Sequence, residues 1–152
     1  MASSMMSWLI LAPADIIVDV NGYVPAGASP SSVLPARVLE TRVGHTTADG
    51  QQQGTGRVAA GGVVELVAGR AGVPADADAV MLNVTAVTPD APGFLTVFPC
   101  GQPRPLASNV NYESGDIVPN AVLARIGAGG KVCIFTLAPA DIIVDVDGYV
   151  PT

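Results

Sequence analysis

The stretch LAPADIIVDVDGYVP, at residues 137–151, occurs twice in this chain. Residues 11–25 read LAPADIIVDVNGYVP, and the two copies differ only where Asn21 stands in place of Asp147. A chain that opens with a copy of its own ending is typical of a tandem array of repeats. We therefore expect the end of one repeat followed by one complete repeat.

The duplication divides the chain into three predicted parts. Residues 1–25 are the partial copy, which we interpret as the terminal β-hairpin of a preceding repeat. Residues 26–34, AGASPSSVL, read as a linker, and residues 35–152 form the complete β-sandwich repeat. Because a lone two-stranded hairpin is marginal in water, we expect it to pack on a sheet edge of its own domain or to pair with a neighbouring repeat or an identical chain. Strand addition or swapping of this kind would produce an oligomer.

The composition predicts an all-β fold. The chain is 49% hydrophobic but only 5% aromatic and 13% charged, with 17 Gly and 13 Pro. Small β-forming residues with many turn formers favour strands, and segments such as residues 79–87 alternate between apolar and polar side chains. We expect an antiparallel two-sheet β-sandwich, either a jelly roll or immunoglobulin-like. Residues 132–135 and 142–150 are predicted to close it as a hairpin.

The charge distribution argues against two classes of partner. The formal net charge is −6, and the seven basic residues are scattered along the chain. Such a surface offers no phosphate-binding face, so nucleic acid is not expected as a partner. The apolar run within residues 1–12 is too short to span a bilayer, so membrane insertion is not expected either.

The two cysteines, Cys100 and Cys133, each border an apolar, strand-like run. A disulfide between them is the first expectation, and two unlinked buried thiols are the alternative. Disulfides persist in oxidising compartments, and the low lysine content also favours an exported protein. We therefore expect a secreted, extracellular or cell-surface location. Two cysteines and one histidine make a zinc site improbable.

Several motifs follow one another in a recognisable order. They are RVLETR at residues 37–42, LNVT at 82–85, GFLTVFPCG at 93–101, SNVN at 108–111 and VDVDGY at 144–149. Together they resemble a repeat domain that is found, often in tandem, in secreted and cell-surface proteins of actinobacteria. Glu40 stands where the pattern of that family usually has Asp. The resemblance implies location and an accessory, modular use, and it implies no particular reaction or ligand.

Polar side chains in the second half of the chain are candidates for carbohydrate binding, because amides, hydroxyls and an aromatic ring are the usual chemistry of sugar recognition. The candidates are Asn83, Asn109, Asn111, Tyr112 and Asn120. The alternative is that these side chains bond to the backbone at turns and bulges. The scarcity of aromatic residues favours that alternative.

Two groups of charged residues complete the set of candidates. Asp145 and Asp147 share one face of a predicted strand and are candidate Ca²⁺ ligands, although Ca²⁺ needs six to eight oxygens and a solvated polar face is the alternative. No other cofactor is expected. Arg37, Glu40 and Arg42 are predicted to form a structural ion pair, with a clamp for a carboxylate or phosphate as the alternative.

These observations favour a non-catalytic extracellular repeat that mediates surface attachment or assembly. A carbohydrate-binding module for cell-wall or environmental glycans is the first alternative, and a small hydrolase is the second. Catalysis has little support, because the only histidine, His45, lies in a Gly- and Gln-rich stretch that we predict to be a flexible loop. No Gly-x-Ser-x-Gly nucleophile motif occurs, while Glu40 and Glu65 leave a carboxylate pair open.

Overall fold

The structure is a computed structural model and describes residues 18, 20, 22–27 and 29–152. Its described part is all-β and contains two antiparallel sheets of four strands each. The strands are β1 (Ser31–Glu40), β2 (Val63–Val67), β3 (Ala79–Val87), β4 (Gly93–Pro99), β5 (Val110–Tyr112), β6 (Ile117–Arg125), β7 (Lys131–Thr136) and β8 (Asp141–Val150). The prediction of a two-sheet antiparallel β-sandwich is confirmed.

The strand order distinguishes between the two predicted variants of the sandwich. Sheet I has the order β1-β8-β3-β6, and sheet II has the order β2-β7-β4-β5. Eight strands in this order make a jelly roll, whereas an immunoglobulin constant-type domain has seven strands in sheets of four and three. Within the described residues no helix has the length and apolar character of a membrane span.

The core lies between the inner faces of the two sheets, where the alternation of the strands places small apolar side chains. On sheet I, Val84 of β3 lies opposite Val144 of β8, and both are completely buried. On sheet II, Leu95 and Ile134 are equally buried. Aliphatic residues fill this space, and the three phenylalanines pack in a separate cluster.

The predicted hairpin of residues 132–135 and 142–150 is wrong, because β7 belongs to sheet II and β8 to sheet I. Residues 137–140 carry the chain across the end of the sandwich, and their alanines, Ala138 and Ala140, are buried. Small side chains allow this crossing, which lets both strands bury their inner faces. The equivalent hairpin predicted for the partial copy falls mainly outside the described residues.

Strand β1 begins at Ser31 and therefore extends into the segment predicted as a linker. A proline within a strand is tolerated at a sheet edge or a bulge, and Pro35 has both. It lies on the edge strand of sheet I, where the pairing register with β8 shifts between Ser32 and Ala36. The β-structure of the sandwich thus starts four residues before the predicted boundary at residue 35.

The Gly- and Gln-rich stretch after β1, predicted as a flexible loop, is bonded to the strands beside it. Its backbone pairs with the free edge of β1, where the Glu40 amide donates to the Gln52 carbonyl at 3.0 Å and the Gly54 amide donates to the Glu40 carbonyl at 2.8 Å. The Gln52 carboxamide also bonds to the Glu65 carbonyl and the Val67 amide of β2. The loop therefore closes this side of the sandwich.

A buried arginine anchors that loop. Arg70 is 8% exposed and donates to the Val38 carbonyl of β1 at 2.8 Å and to the Gln51 carbonyl of the loop at 3.0 Å. Its guanidinium also forms a two-point contact with the Asp49 carboxylate. Hydrogen bonding by Arg70 lowers the pKa of Asp49 well below its usual value, so the carboxylate stays charged.

The outer face of sheet II carries all three phenylalanines of the chain in a second apolar cluster. Phe98 and Phe135 are 8% and 9% exposed and pack with the disulfide between Cys100 and Cys133. The guanidinium of Arg104 lies 4.1 Å from the centre of the Phe135 ring, a cation–π arrangement. The predicted disulfide is therefore present and belongs to this outer cluster.

Strand β1 starts and strand β8 finishes at the same end of the sandwich. Ser31, the first residue of β1, is the register partner of Tyr149 near the end of β8. We call this the proximal end. The opposite, distal end carries the connections at residues 88–92, 113–116 and 137–140.

Candidate functional site

The charged and amide candidates meet in a polar cleft on the outer face of sheet I. The cleft has a volume of about 430 Å³. Its lining consists of Pro35, Ala36, Arg37, Asn83, Ala121, Asp145 and Asp147. We refer to this surface as the polar cleft. It combines residues that the sequence assigned to three separate hypotheses: carbohydrate binding, calcium binding and a structural ion pair.

The pairing of β3 with β8 builds the floor of the polar cleft. Asn83 and Asp145 are register partners, and each follows the alternation that buries its neighbours on the inner face. The register shifts next to Asp147, because Leu82 pairs with Val146 while Met81 pairs with Gly148. Asp147 is thus the extra residue of a β-bulge, and its side chain is exposed.

Arg37 crosses from β1 to β8 and forms one wall of the cleft. Its Nε atom donates to Oδ1 of Asp145 at 2.9 Å, and its Nη1 atom donates to Oε2 of Glu40 at 3.1 Å. The hydrogen bond with Asp145 raises the pKa of Arg37 above its usual value. One carboxylate of the cleft is therefore already neutralised by a fixed cation.

Glu40 is the buried centre of the predicted ion pair. Its side chain is completely buried, and Arg42 donates to it from Nη2 at 2.8 Å and from Nε at 2.9 Å. Burial alone would raise the pKa of Glu40, but the hydrogen bonds from Arg42 and the charges of Arg42 and Arg37 outweigh burial and lower it. The structure thus brings Arg37, Glu40 and Arg42 together with Asp145 as one network.

A second charged contact extends this network toward the distal end. Arg57 donates from Nη1 to Oδ2 of Asp141 at 3.0 Å and from Nη2 to Oδ1 of Asp90 at 2.6 Å. Thr41, which is completely buried, bonds to the same Asp141 at 2.7 Å. Neither Arg57 nor Arg70 was predicted as a site residue. The one signal in the sequence that could have identified them is the small number of basic residues. In a chain with so few charges, each basic residue is a candidate for an ion pair.

Three of the five carbohydrate-binding candidates have structural partners instead of a place in the cleft. Asn109 is 7% exposed, and its Oδ1 atom accepts a hydrogen bond from the Val97 amide at 2.7 Å. Asn120 donates to the Asn109 carbonyl at 2.5 Å and so ties β6 of sheet I to the edge of sheet II. Tyr112 is 4% exposed, and its hydroxyl bonds to Thr136 at 2.8 Å.

The remaining two candidates lie apart. Asn83 lines the polar cleft, whereas Asn111 is exposed on β5 of the other sheet. The structure therefore does not bring the five candidates to one surface. The alternation of the sequence identified which side chains share a face of their own strand, but it carries no information about which strands become neighbours.

The two predicted calcium ligands, Asp145 and Asp147, do line the same cleft. A cation there would compete with Arg37 for Asp145, and the side chains of the cleft supply fewer oxygens than the six to eight that Ca²⁺ takes. In the described part of the chain, one group of three metal-ligating side chains is close enough to share an ion. It consists of Glu65, Cys100 and Cys133, whose two sulfurs are joined in the disulfide.

The acid residues considered for hydrolysis are held in ion pairs on different sheets. Glu40 on sheet I is bound by Arg37 and Arg42, and Glu65 on sheet II accepts a hydrogen bond from Lys131 at 2.6 Å. His45 is exposed. These positions do not form a pair of converging catalytic groups.

The polar cleft can donate and accept hydrogen bonds in one small area, through a guanidinium, two carboxylates and a carboxamide. This chemistry suits a hydroxyl-rich ligand, although no aromatic side chain lines the cleft. Comparisons of the chain with known protein families, with curated proteins and with solved structures found no match.

Proposed function

We propose that this chain is a non-catalytic repeat module of an exported, cell-surface protein, and that it serves attachment or assembly by presenting many copies of one exposed end. The observation that carries this proposal is the position of the start of β1 beside the end of β8. Ser31 and Tyr149 lie side by side, so the chain enters and leaves the domain at the proximal end.

The duplication extends this geometry to neighbouring repeats. Val24, which corresponds to the last residue of β8, is separated from the start of β1 by residues 25–30. Six residues span at most about 20 Å, so neighbouring repeats would be held together through their proximal ends. The chain connections then leave every distal end uncovered, and an array would carry as many identical distal surfaces as it has repeats.

An array of identical surfaces binds its partner by avidity, because the second contact forms at a high effective concentration set by the linker. Weak binding at each repeat is then sufficient for stable attachment. The other features of the fold suit an exposed spacer. The disulfide supports an oxidising location outside the cytoplasm, and the loop bonded to Arg70 closes one side of the sandwich.

The test is to lengthen the chain by adding residues 26–152 after Thr152, once and then twice. If each repeat is an independent module, the unfolding midpoint will stay constant while the size of the particle grows with each addition. A midpoint that rises with repeat number would contradict the proposal, because it would mean that neighbouring repeats share a core, as in a solenoid.

A second candidate function is glycan binding at the polar cleft. It is favoured by the convergence of Asn83, Asp145 and Asp147, which provide planar polar groups in one place. The experiment is a pull-down of the full chain with insoluble polysaccharides and peptidoglycan, with and without Ca²⁺. Binding that is lost in Asn83→Ala but kept in the exposed control Asn111→Ala would support this function. Equal binding by both variants would contradict a site in the cleft.

A further inference from the structure

We propose that residues 15–24 can take the place of β8 in their own domain. The same chain would then have two alternative arrangements of its strands, which we call frames. The sandwich in the second frame is a circular permutant of the sandwich in the first. In the first frame β8 fills the slot between β1 and β3, as observed. In the second frame the N-terminal copy fills that slot. The inference rests on the duplication and the strand register. It does not depend on the proposed display role, in which an array of repeats presents its distal ends to a partner.

The slot is specific for side chains that both copies carry. β8 pairs with β1 on one side and with β3 on the other, and it buries Ile142, Val144 and Val146 on its inner face. The copy has Ile16, Val18 and Val20 at the same positions. An identical row of side chains would fill the same space in the core without a cavity or an overlap.

The single difference between the copies falls where the slot tolerates it. Asn21 corresponds to Asp147, the exposed residue of the β-bulge at the polar cleft. Gly22 corresponds to Gly148, a position where a Cβ atom would collide with the side chain of Met81 and the backbone of Ser31. The copy therefore keeps the residue that the tightest point of the slot requires.

The connection required by the second frame is short and unstrained. With the copy in the slot, Tyr23 would take the position of Tyr149, opposite Ser31. Neighbouring strands lie about 4.8 Å apart, and residues 24–30 would join them as a seven-residue hairpin loop. Ala26 and Gly27 already form a turn, and Gly27 has a positive φ of 91°.

The contacts at the start of β8 are also duplicated. Asp141 bonds to Thr41, and Ala138 and Ala140 are buried where the chain crosses between the sheets. The duplication covers residues 11–25, so the copy offers the same Asp and the same two Ala. The two frames thus differ mainly in their loops, and a modest perturbation of one copy should transfer the slot to the other.

The test uses the full chain and three variants. Val144→Asp places a charge in the completely buried part of β8, which would unfold a domain that has one frame only. We expect this variant to remain a folded monomer, because residues 15–24 replace β8. Amide hydrogen exchange should then show residues 141–150 losing protection by at least about 100-fold while residues 15–24 gain it.

The controls separate replacement from simple tolerance of the substitution. Val18→Asp alone should stay folded in the first frame, and Val18→Asp combined with Val144→Asp should unfold, because neither copy then fits. The proposal is overturned if Val144→Asp is as unfolded as the double variant, or if it folds with residues 141–150 still protected. It is also overturned if Val144→Asp folds only as a dimer, since the occupant would then be a second chain.

Discussion

Replacing Glu40 by Gln removes a charge that the fold buries completely while it preserves the size of the side chain. The wild-type carboxylate accepts hydrogen bonds from Arg42 and from Arg37. A carboxamide has one acceptor oxygen and one amino group, so the variant loses part of these bonds. It also leaves two guanidinium groups beside each other without the anion between them. We expect the domain to be destabilised.

The size of the effect follows from the burial of the partners. Breaking a fully buried ion pair costs about 3–5 kcal/mol. The side chains of Arg37 and Arg42 are 36% and 30% exposed, so solvent relieves part of their unpaired charge. We therefore expect a loss of about 2–3 kcal/mol in the free energy of unfolding. For a domain of this size, that loss corresponds to a fall in the melting temperature of about 10 °C.

The assay is denaturant unfolding of wild type and variant as a function of pH. Because the pKa of Glu40 is lowered in the folded state, its contribution to stability is complete above its unfolded pKa. The contribution is lost as the pH falls through the lowered folded value. The difference in the free energy of unfolding between the wild type and Glu40→Gln should therefore shrink as the solution is acidified, until the two proteins are equally stable.

The matched control is Glu65→Gln. Glu65 also pairs with a cation, Lys131, but its side chain is 54% exposed, and such pairs contribute less than about 1 kcal/mol. If Glu40→Gln destabilises the domain no more than this control, or if its deficit is independent of pH, then the buried network does not stabilise the fold as described.

Three further predictions concern contacts away from the polar cleft. Arg70→Lys should lower the free energy of unfolding by about 2–4 kcal/mol, because the three N–H donors on one lysine nitrogen cannot replace the guanidinium's hydrogen bonds to the Asp49 carboxylate, the Gln52 carboxamide and two carbonyls; unchanged exchange protection of the Gly54 amide would contradict this. Reducing the disulfide should lower the free energy of unfolding by about 3–4 kcal/mol, since the bond joins residues 33 positions apart. Equal midpoints of urea unfolding with and without reductant would refute that value. Asn109→Ala should cost about 1–3 kcal/mol by leaving the Val97 amide unpaired. A matched loss in the exposed Asn111→Ala would show that burial is not the reason.

The class of the fold could be predicted because it depends on local alternation. In residues 79–87 the alternating apolar residues indicate which face is the inner one. They are Val80, Leu82 and Val84, all of which are buried. The assignment of strands to sheets could not be predicted in the same way. The four residues between β7 and β8 suit a hairpin as well as a crossing between sheets, and only packing of both inner faces against one core selects the crossing.

The candidate site was predictable only in part, for a related reason. The spacing of Asp145 and Asp147 placed both on one strand face, and both line the cleft. Asn83 joins them through the pairing of β3 with β8, two strands that are distant in the chain. The partnership of Arg70 with Asp49 was equally hidden, because a Gly- and Gln-rich composition does not reveal that a buried guanidinium orders the loop.

The most direct test of the display role measures distances within a chain that carries two complete repeats. Labels at Asp76, in a proximal connection, and at Glu113, in a distal connection, would report on the two ends of each domain. If the repeats are joined through their proximal ends, the two Asp76 labels will lie closer together on average than the two Glu113 labels. Glu113 labels that lie closer together than the Asp76 labels would contradict the account.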